Sequence, residues 1–527
     1  MTLQPVLING EWKQTHEAVD SFTATNPATE SPLSDQYPVS GFSDIIQALE
    51  AGYRAMVELP SLPVDVIANF LKDFAVNIET RSEALIKKAS HETGLPEEPR
   101  LRSIELPRAI DQIQQAATCV LDRSWRRATI DNKANVRSIH SALNGPVAVF
   151  GPNNFPFAFN SAGGGDFTAA IAAGNPVIAK ANPGHPGTTK IFAEAALKAL
   201  QKNGLPRAMV QLLYHFKPED GLKLVSHPLL GATAFTGSKR SGLRLKEAAD
   251  RAGKPIYLEM SSINPVFILP GVLEERLEEL AEEFFNSCTL GSGLFCTKPG
   301  LVILLQDKKS ERFLEETRKY FLSSKAGLLT GEQIPKVIEA AIKTLLQCGA
   351  ETVAGGEEIN GDGYRFAYTL MRVSGNVYLK NPKLLQTEVF GPSSLLVFAK
   401  NTIQLQEITA ALEGSLTGSI YSHTQGKDDS IYAKLEPILR RKVGRLINDK
   451  MPTGVAVTPA MNHGGPFPAT GHPGFTAIGI PAALLRFTAL HCYDNVRHHR
   501  LPAELRDKNP TGYMWRYING EWTQRSL

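Results

Sequence analysis

Short apolar runs, separated by small polar turns, set the organisation of this chain. Val147-Ala-Val-Phe150 reads as a buried strand, followed by a loop over 151–156 and a small-residue helix containing Gly163-Gly-Gly165 and Ala169-Ala-Ile-Ala-Ala173. Strands follow at 176–179, 209–213, 232–235 and 255–258, with a helix over 188–200. Strands alternating with helices at this spacing predict a parallel, doubly wound sheet. From about 264 to 458 the same logic recurs, with strands at 266–269, 300–305 and 395–398 and amphipathic helices between them. The expected fold class is therefore α/β, with two doubly wound α/β domains.

Outside these units the pattern changes. Residues 44 to about 122 have helical composition, broken at His91-Glu-Thr-Gly-Leu-Pro96 by a glycine stop signal and a proline. Residues 133–140 alternate like a strand. Asn9-Gly10 and Asn519-Gly520, each beside an apolar run, predict hairpins at the two ends. Beyond Asp449 the chain is rich in Gly, Pro and His, and Asn462-His-Gly-Gly-Pro-Phe-Pro-Ala-Thr-Gly471 must be loop, ordered by packing over something.

At 527 residues the chain is too long for one simple core, so two or three domains are expected. Its net charge of +3 is small for this length and calls for neither a nucleic acid nor an anionic membrane. The five cysteines, Cys119, Cys288, Cys296, Cys348 and Cys492, are scattered, with no C-x-x-C pair and no His/Cys cluster at metal-ligand spacing. No disulfide framework and no metal site is expected. There is no signal peptide pattern at Met1 and no apolar stretch of about 18 residues, so the expected setting is cytoplasmic and reducing.

Parallel sheets bind ligands beyond the carboxyl ends of their strands. That rule sets Asn153-Asn154, Lys180, Thr236-Gly237-Ser238 and Glu259 on one rim, since each follows a strand. No G-x-G-x-x-G fingerprint occurs there. Near the start of the second unit, a helical run over 273–285 leads into Asn286-Ser-Cys-Thr-Leu-Gly-Ser-Gly-Leu-Phe-Cys296-Thr-Lys-Pro-Gly300. Cys296 sits after a glycine-loosened turn, as an aimed nucleophile or as a packed core cysteine; spacing alone leaves both open. Asn154 is an oxyanion donor or a turn residue, Glu259 a proton acceptor or half of a salt bridge, Lys180 a cofactor ligand or a surface lysine. Their convergence on one rim favours chemistry.

Gly145-Pro-Val-Ala-Val-Phe-Gly-Pro-Asn-Asn-Phe-Pro156, Ala179-Lys180, Phe235-Thr-Gly-Ser238, Leu258-Glu259, Gly293-Leu-Phe-Cys296, Glu388-Val-Phe-Gly-Pro392 and Pro452-Thr-Gly-Val455 occur in this order. In these motifs the chain resembles the aldehyde dehydrogenase superfamily over nearly its full length. The resemblance implies that Cys296 attacks an aldehyde to form a thiohemiacetal, with Asn154 and the Cys296 N–H as oxyanion hole. Hydride then passes to a nicotinamide, and Glu259 activates water to hydrolyse the thioester. It implies that Lys180 reaches the adenosine ribose, that Thr236, Gly237 and Ser238 lie beside the pyrophosphate, and that Glu388 holds the nicotinamide ribose with Phe390 flanking it. Cys288 has no family role and reads as packing. The resemblance divides the chain into a cofactor domain (1–130 and 146–263), a catalytic domain (264–460), a small β oligomerisation arm (131–145 and 491–527) and a return segment covering the active site (461–490). A homodimer or homotetramer is implied.

Two departures stand out. Leu294 replaces the glutamine usual after the motif glycine, and Pro183 occupies the position where NAD-preferring members carry a glutamate for the ribose 2′-hydroxyl. Without that carboxylate a 2′-phosphate is not repelled, and Lys180 with Lys217 could attract it, so NADP is favoured over NAD. The stretches 152–166, 180–186 and 463–471 resemble the branch that oxidises 2,5-dioxopentanoate (α-ketoglutarate semialdehyde) to 2-oxoglutarate; the alternative within the family is a medium-to-long-chain aldehyde dehydrogenase. Phe155, Phe159, Phe285 and Phe467 would form an apolar tunnel. Arg100, Arg102 and Arg108 could line its mouth, with surface positions expected for most of them. A catalytically inactive relative would have lost Cys296, Asn154 or Glu259, and none is lost.

Overall fold

The computed structural model describes residues 3–16, 18–59 and 62–527. The apolar runs after residue 146 form a seven-stranded sheet in the order Ile256–Glu259, Ala232–Thr236, Val147–Phe150, Val177–Lys180, Val210–Leu213, Val6–Ile8 and Glu11–Lys13. The strands after residue 146 run parallel, and the N-terminal hairpin adds an antiparallel edge. Helices cover both faces of the parallel part, which is why its strands are continuous apolar runs rather than alternating ones. The chain starts in the middle at Val147–Phe150, winds outward through Val177–Lys180 and Val210–Leu213, then returns to Ala232–Thr236 on the other side. The reversal between Val147–Phe150 and Ala232–Thr236 opens a crevice beyond their carboxyl ends.

A second seven-stranded sheet has the order Glu351–Ala354, Thr369–Ser374, Ser393–Ala399, Leu301–Leu305, Pro265–Ile268, Ser415–Tyr421 and Val443–Asn448, parallel except at its first strand. Four of these strands go beyond the expected three. Ser415–Tyr421 is disguised by its polar residues: Ser415, Thr417 and Ser419 are all buried. A five-stranded sheet joins Thr488–Asp494, Val136–Ala142, Thr129–Asp131, Arg516–Ile518 and Glu521–Thr523. The molecule is thus mixed α/β, with two doubly wound lobes and a small β arm.

The helical run before Cys296 becomes helix Val272–Thr289, longer than the expected 273–285. It buries Leu277, Leu280, Phe284 and Cys288 against Ile268, Leu304 and Phe398 of the second sheet. Full burial of each large apolar side chain contributes about 1.5–3 kcal/mol, so this helix is a firm base for the turn that follows. Both Asn-Gly turns have two residues of positive φ, 53° and 74° at Asn9-Gly10 and 48° and 96° at Asn519-Gly520. That is the twist a two-residue hairpin needs.

The loop-rich segment near residue 463 closes the seam between the lobes. It pairs with the edge strand Ile256–Glu259, the Met260 N–H donating to the Ala469 carbonyl at 2.8 Å and the Gly471 N–H to the Leu258 carbonyl at 3.1 Å. Its glycines are required by contact: a Cβ on Gly464 would lie 2.0 Å from the Phe475 carbonyl oxygen, and one on Gly465 2.3 Å from that of Ser415.

Candidate active site

Helix Val272–Thr289 hands the chain to a tight turn in which Gly291, Ser292 and Gly293 have φ of 55°, 57° and 69°. Gly293 is pressed against the loop after Glu388, where a Cβ would meet the Gly391 carbonyl oxygen at 2.3 Å. A larger residue there would push apart the loops bearing Cys296 and Glu388. Asn264, fully buried, clamps the turn from below. Its amide donates to the carbonyls of Cys296 at 2.8 Å and Lys298 at 2.9 Å, while its oxygen accepts from Ser262 and Thr417.

Above this turn lies a cleft of about 470 Å³, lined by Asn154, Phe155, Phe159, Lys180, Thr236, Gly237, Ser238, Glu259, Cys296, Glu388 and Phe390 among others. The structure therefore gathers the strand-end residues at one place. Glu259 ends its strand and is 2% exposed. The Cys296 Sγ lies 3.4 Å from the His463 Nε2, and that nitrogen lies 3.0 Å from the Glu259 Oε1. The imidazole nitrogen can serve one neighbour at a time, as acceptor from the thiol or as donor to the carboxylate, so the three groups can exchange a proton. The second oxygen of Glu259, Oε2, is buried without a hydrogen-bond partner among the described residues. Burial, with the Glu259 charge beside it, pushes the Cys296 thiol well above its ordinary pKa. The resting sulfur is a thiol, and making a thiolate requires a base in contact with it.

Asn154 donates from its side-chain amide to the Leu294 carbonyl at 2.7 Å, and the other hydrogen of that amide stays free for an oxyanion. Its own carbonyl accepts from Arg100 at 3.0 Å. Arg100 is buried, ion-paired with Glu105, and lies 4.4 Å over the Phe155 ring and 5.4 Å over that of Phe295. Arg108 lies 5.7 Å from the Phe155 ring centre and 5.6 Å from that of Phe159. Burial lowers its pKa against the pull of Glu105, Cys296 and Glu259, and among the described residues it makes no salt bridge and no hydrogen bond; its Nε is buried and unpartnered. Of the three arginines only Arg102 has the expected surface character, in ion pairs with Glu83, Glu97 and Glu98.

At the other end of the cleft, Lys180 has no carboxylate beside it among the described residues, and burial pulls its ammonium down to about 8. Helix Lys239–Arg251 begins here, capped by the Ser238 hydroxyl, with no acidic residue in its first turn. Burial raises Glu388 to about 6, against the pull of hydrogen bonds from Ser261 and Ser262.

Three expected positions are corrected. Phe285 is packed in the second lobe against Tyr320, Phe321 and Tyr368, on the buried stripe of its helix, and does not line the cleft. Phe467 is 62% exposed and does not line it. Lys217 caps helix Pro218–Val225 at the surface and is not part of the cleft. Conversely, His463 and Asn264 belong to the site without having been singled out for it, while Arg108 was one of three arginines named for the tunnel mouth. The signal for His463 was the pair of glycines after it, which only close packing explains.

A doubly wound sheet whose strand ends open on a half-buried thiol, a buried imidazole and a buried carboxylate fits an oxidoreductase that uses a nicotinamide cofactor. The model of the aldehyde dehydrogenase family matches residues 12–463, and the chain belongs to that family. It is an NAD(P)-dependent aldehyde dehydrogenase. It is 35% identical over 499 residues to alpha-ketoglutaric semialdehyde dehydrogenase 2 of Azospirillum brasilense, covering 92% of this chain and 94% of that one. It is 34% identical over 521 residues to alpha-ketoglutaric semialdehyde dehydrogenase of Acinetobacter baylyi, covering 95% and 97%. Among solved structures, 1-pyrroline-5-carboxylate dehydrogenase from Thermus with bound NAD superposes with a TM-score of 0.79 at 24% identity, over 93% of this chain and 92% of that one. A mutant of aldehyde dehydrogenase C from Pseudomonas syringae with NAD+ and octanal gives 0.78 at 19%, over 93% and 96%. Those likenesses establish the fold. No helix among the described residues is long and apolar enough to cross a membrane.

Proposed function

We propose that this enzyme oxidises 2,5-dioxopentanoate to 2-oxoglutarate, with Cys296 as nucleophile. The observation that carries the substrate assignment is Arg108, a half-buried guanidinium held against Phe155 and Phe159 that makes no salt bridge and no hydrogen bond among the described residues. Burying an unpaired charge is costly, and a fatty aldehyde would leave it unpaired. A substrate carboxylate would complete it. The two semialdehyde dehydrogenases at 35% and 34% identity support the same substrate.

In this reading His463 and Glu259 take the thiol proton as the sulfur bonds to the aldehyde carbon. The oxyanion so formed is met by the Asn154 amide and the Cys296 N–H. A nicotinamide cofactor, when bound, supplies the two-electron acceptor that converts the thiohemiacetal to a thioester. Glu259, with one oxygen free of protein partners, then takes a proton from water, whose oxygen attacks the thioester carbon and releases the Cys296 sulfur. Lys180, Thr236, Gly237, Ser238, Glu388 and Phe390 would hold the cofactor. The acid-free surroundings of Lys180 and Pro183 support NADP, without the help of Lys217. Residues 1–130 and 146–263 would form the cofactor domain, 264–460 the catalytic domain, and 461–490 the cover that carries His463. The β arm exposes Leu490, Tyr513, Trp515 and Trp522, which supports its use in a homodimer or homotetramer.

The test is kcat/KM for 2,5-dioxopentanoate, hexanal and decanal, each with NAD and NADP. The reading requires the dioxo acid to be the best aldehyde; a preference for decanal would sink it, and a strong preference for NAD would sink the cofactor part alone.

A further inference from the structure

The sequence contains no metal-ligand spacing, yet the fold assembles a ligand set from residues far apart in the chain. Single ligand atoms of Glu259, Cys296 and His463 all lie within 4.8 Å of one another. From ordinary zinc bond lengths, a tetrahedral ion would need an S···N edge of about 3.5 Å and an N···O edge of about 3.4 Å. The observed edges are 3.4 Å and 3.0 Å. The sulfur-to-oxygen edge lies within the same 4.8 Å, and the buried Oε2 of Glu259, without a hydrogen-bond partner among the described residues, is a second oxygen that can take the ion. We propose that Glu259, Cys296 and His463 form an inhibitory site for a thiophilic divalent cation such as zinc or cadmium, which seals the sulfur against aldehydes.

The chemistry is redox-neutral. The S–H bond breaks, its proton goes to solvent, and a sulfur–metal bond forms, leaving one coordination position for water. Thiolate and carboxylate supply two negative charges and the imidazole a neutral nitrogen. The charges of Arg108 and Arg445 act on the sulfur and oppose a cation there, while Glu388 favours it. The thiolate bond decides the balance in favour of soft ions, and it excludes magnesium and calcium, which take oxygen ligands. Binding depends on the three side chains alone and stands whatever aldehyde the enzyme prefers.

The experiment titrates the full-length, chelator-treated protein with cadmium, reading the sulfur-to-metal charge-transfer absorbance, and with zinc, reading activity. The expected result is one cadmium per chain, no such band from this site in Cys296→Ser, and affinity lowered more than about tenfold in His463→Asn and Glu259→Gln. Zinc should inhibit and a chelator restore activity, with magnesium inert at the same concentration. A missing band, or equal affinity in His463→Asn and the parent, would overturn the site. As a check needing no variant, zinc should block alkylation of Cys296 by iodoacetamide, read by peptide mass spectrometry, while magnesium does not; alkylation of Cys296 at the same rate with and without zinc refutes the proposal.

Discussion

Replacing Arg108 by methionine separates the two substrate classes. The side chain lies on the first turn of helix Leu106–Asp122, whose Leu106, Ala109, Ile110 and Ile113 are buried, and it leans over Phe155 and Phe159. A hydrogen bond to a charged partner contributes about 1.5–3 kcal/mol, which is a factor of about 10 to 150. We therefore expect Arg108→Met to lower kcat/KM for 2,5-dioxopentanoate by about that factor, chiefly through KM, and to shift selectivity toward hexanal. Arg108→Lys should fall between, because an ammonium keeps the charge and loses the fork. Stability should move the other way. Methionine removes a buried, unpartnered Nε, whose desolvation costs about 1–3 kcal/mol, and gives up a cation–π contact of about 0.5–1 kcal/mol. The Tm of the variant should hold or rise. The assay is a substrate panel together with a thermal melt at one protein concentration. If Arg108→Met leaves the ratio of dioxo acid to hexanal unchanged, the anchor is wrong; if all aldehydes suffer equally and Tm falls, Arg108 is only structural.

Cys296→Ala should abolish aldehyde oxidation while cofactor binding, followed by fluorescence titration, stays within a few-fold. His463→Asn should lower kcat/KM at neutral pH by about 10²–10⁴ and move the alkaline rise of the pH profile upward, since burial already raises the thiol and its contact base is gone; an unshifted profile would refute the imidazole's part. With the Lys180 ammonium brought down to about 8, it is cationic below that pH and neutral above, so cofactor KM should rise as pH passes 8, and Lys180→Met should flatten the change. Asn264→Ala removes both clamps on the Cys296 turn, so kcat should fall with cofactor affinity retained, and stability should drop by about 1–3 kcal/mol for the buried carbonyls left unpaired, measured by denaturant unfolding.

How far this site can be read from sequence depends on how each residue reaches it. Asn154, Lys180, Thr236 and Glu259 arrive at the ends of short parallel strands, so local pattern and one rule about carboxyl ends locate them together. Phe285 was also readable: Leu277, Ala281 and Phe285 are four apart, so helical spacing assigns it to the buried stripe, and the tunnel assignment ignored that period. Arg108 was readable only as one of three arginines, because an arginine beside an apolar stripe normally carries its charge to solvent, and only its contacts with Phe155 and Phe159 set it apart from Arg102. His463 lies 167 residues from Cys296 and 204 from Glu259, in a loop without periodicity. What fixes it is backbone contact: its N–H donates to Thr476 at 2.9 Å, and the glycines after it admit Phe475 and Ser415 at distances no side chain would allow. A glycine pair inside an aperiodic segment therefore marks two backbones in contact, and the polar residue next to it is the one to test for chemistry.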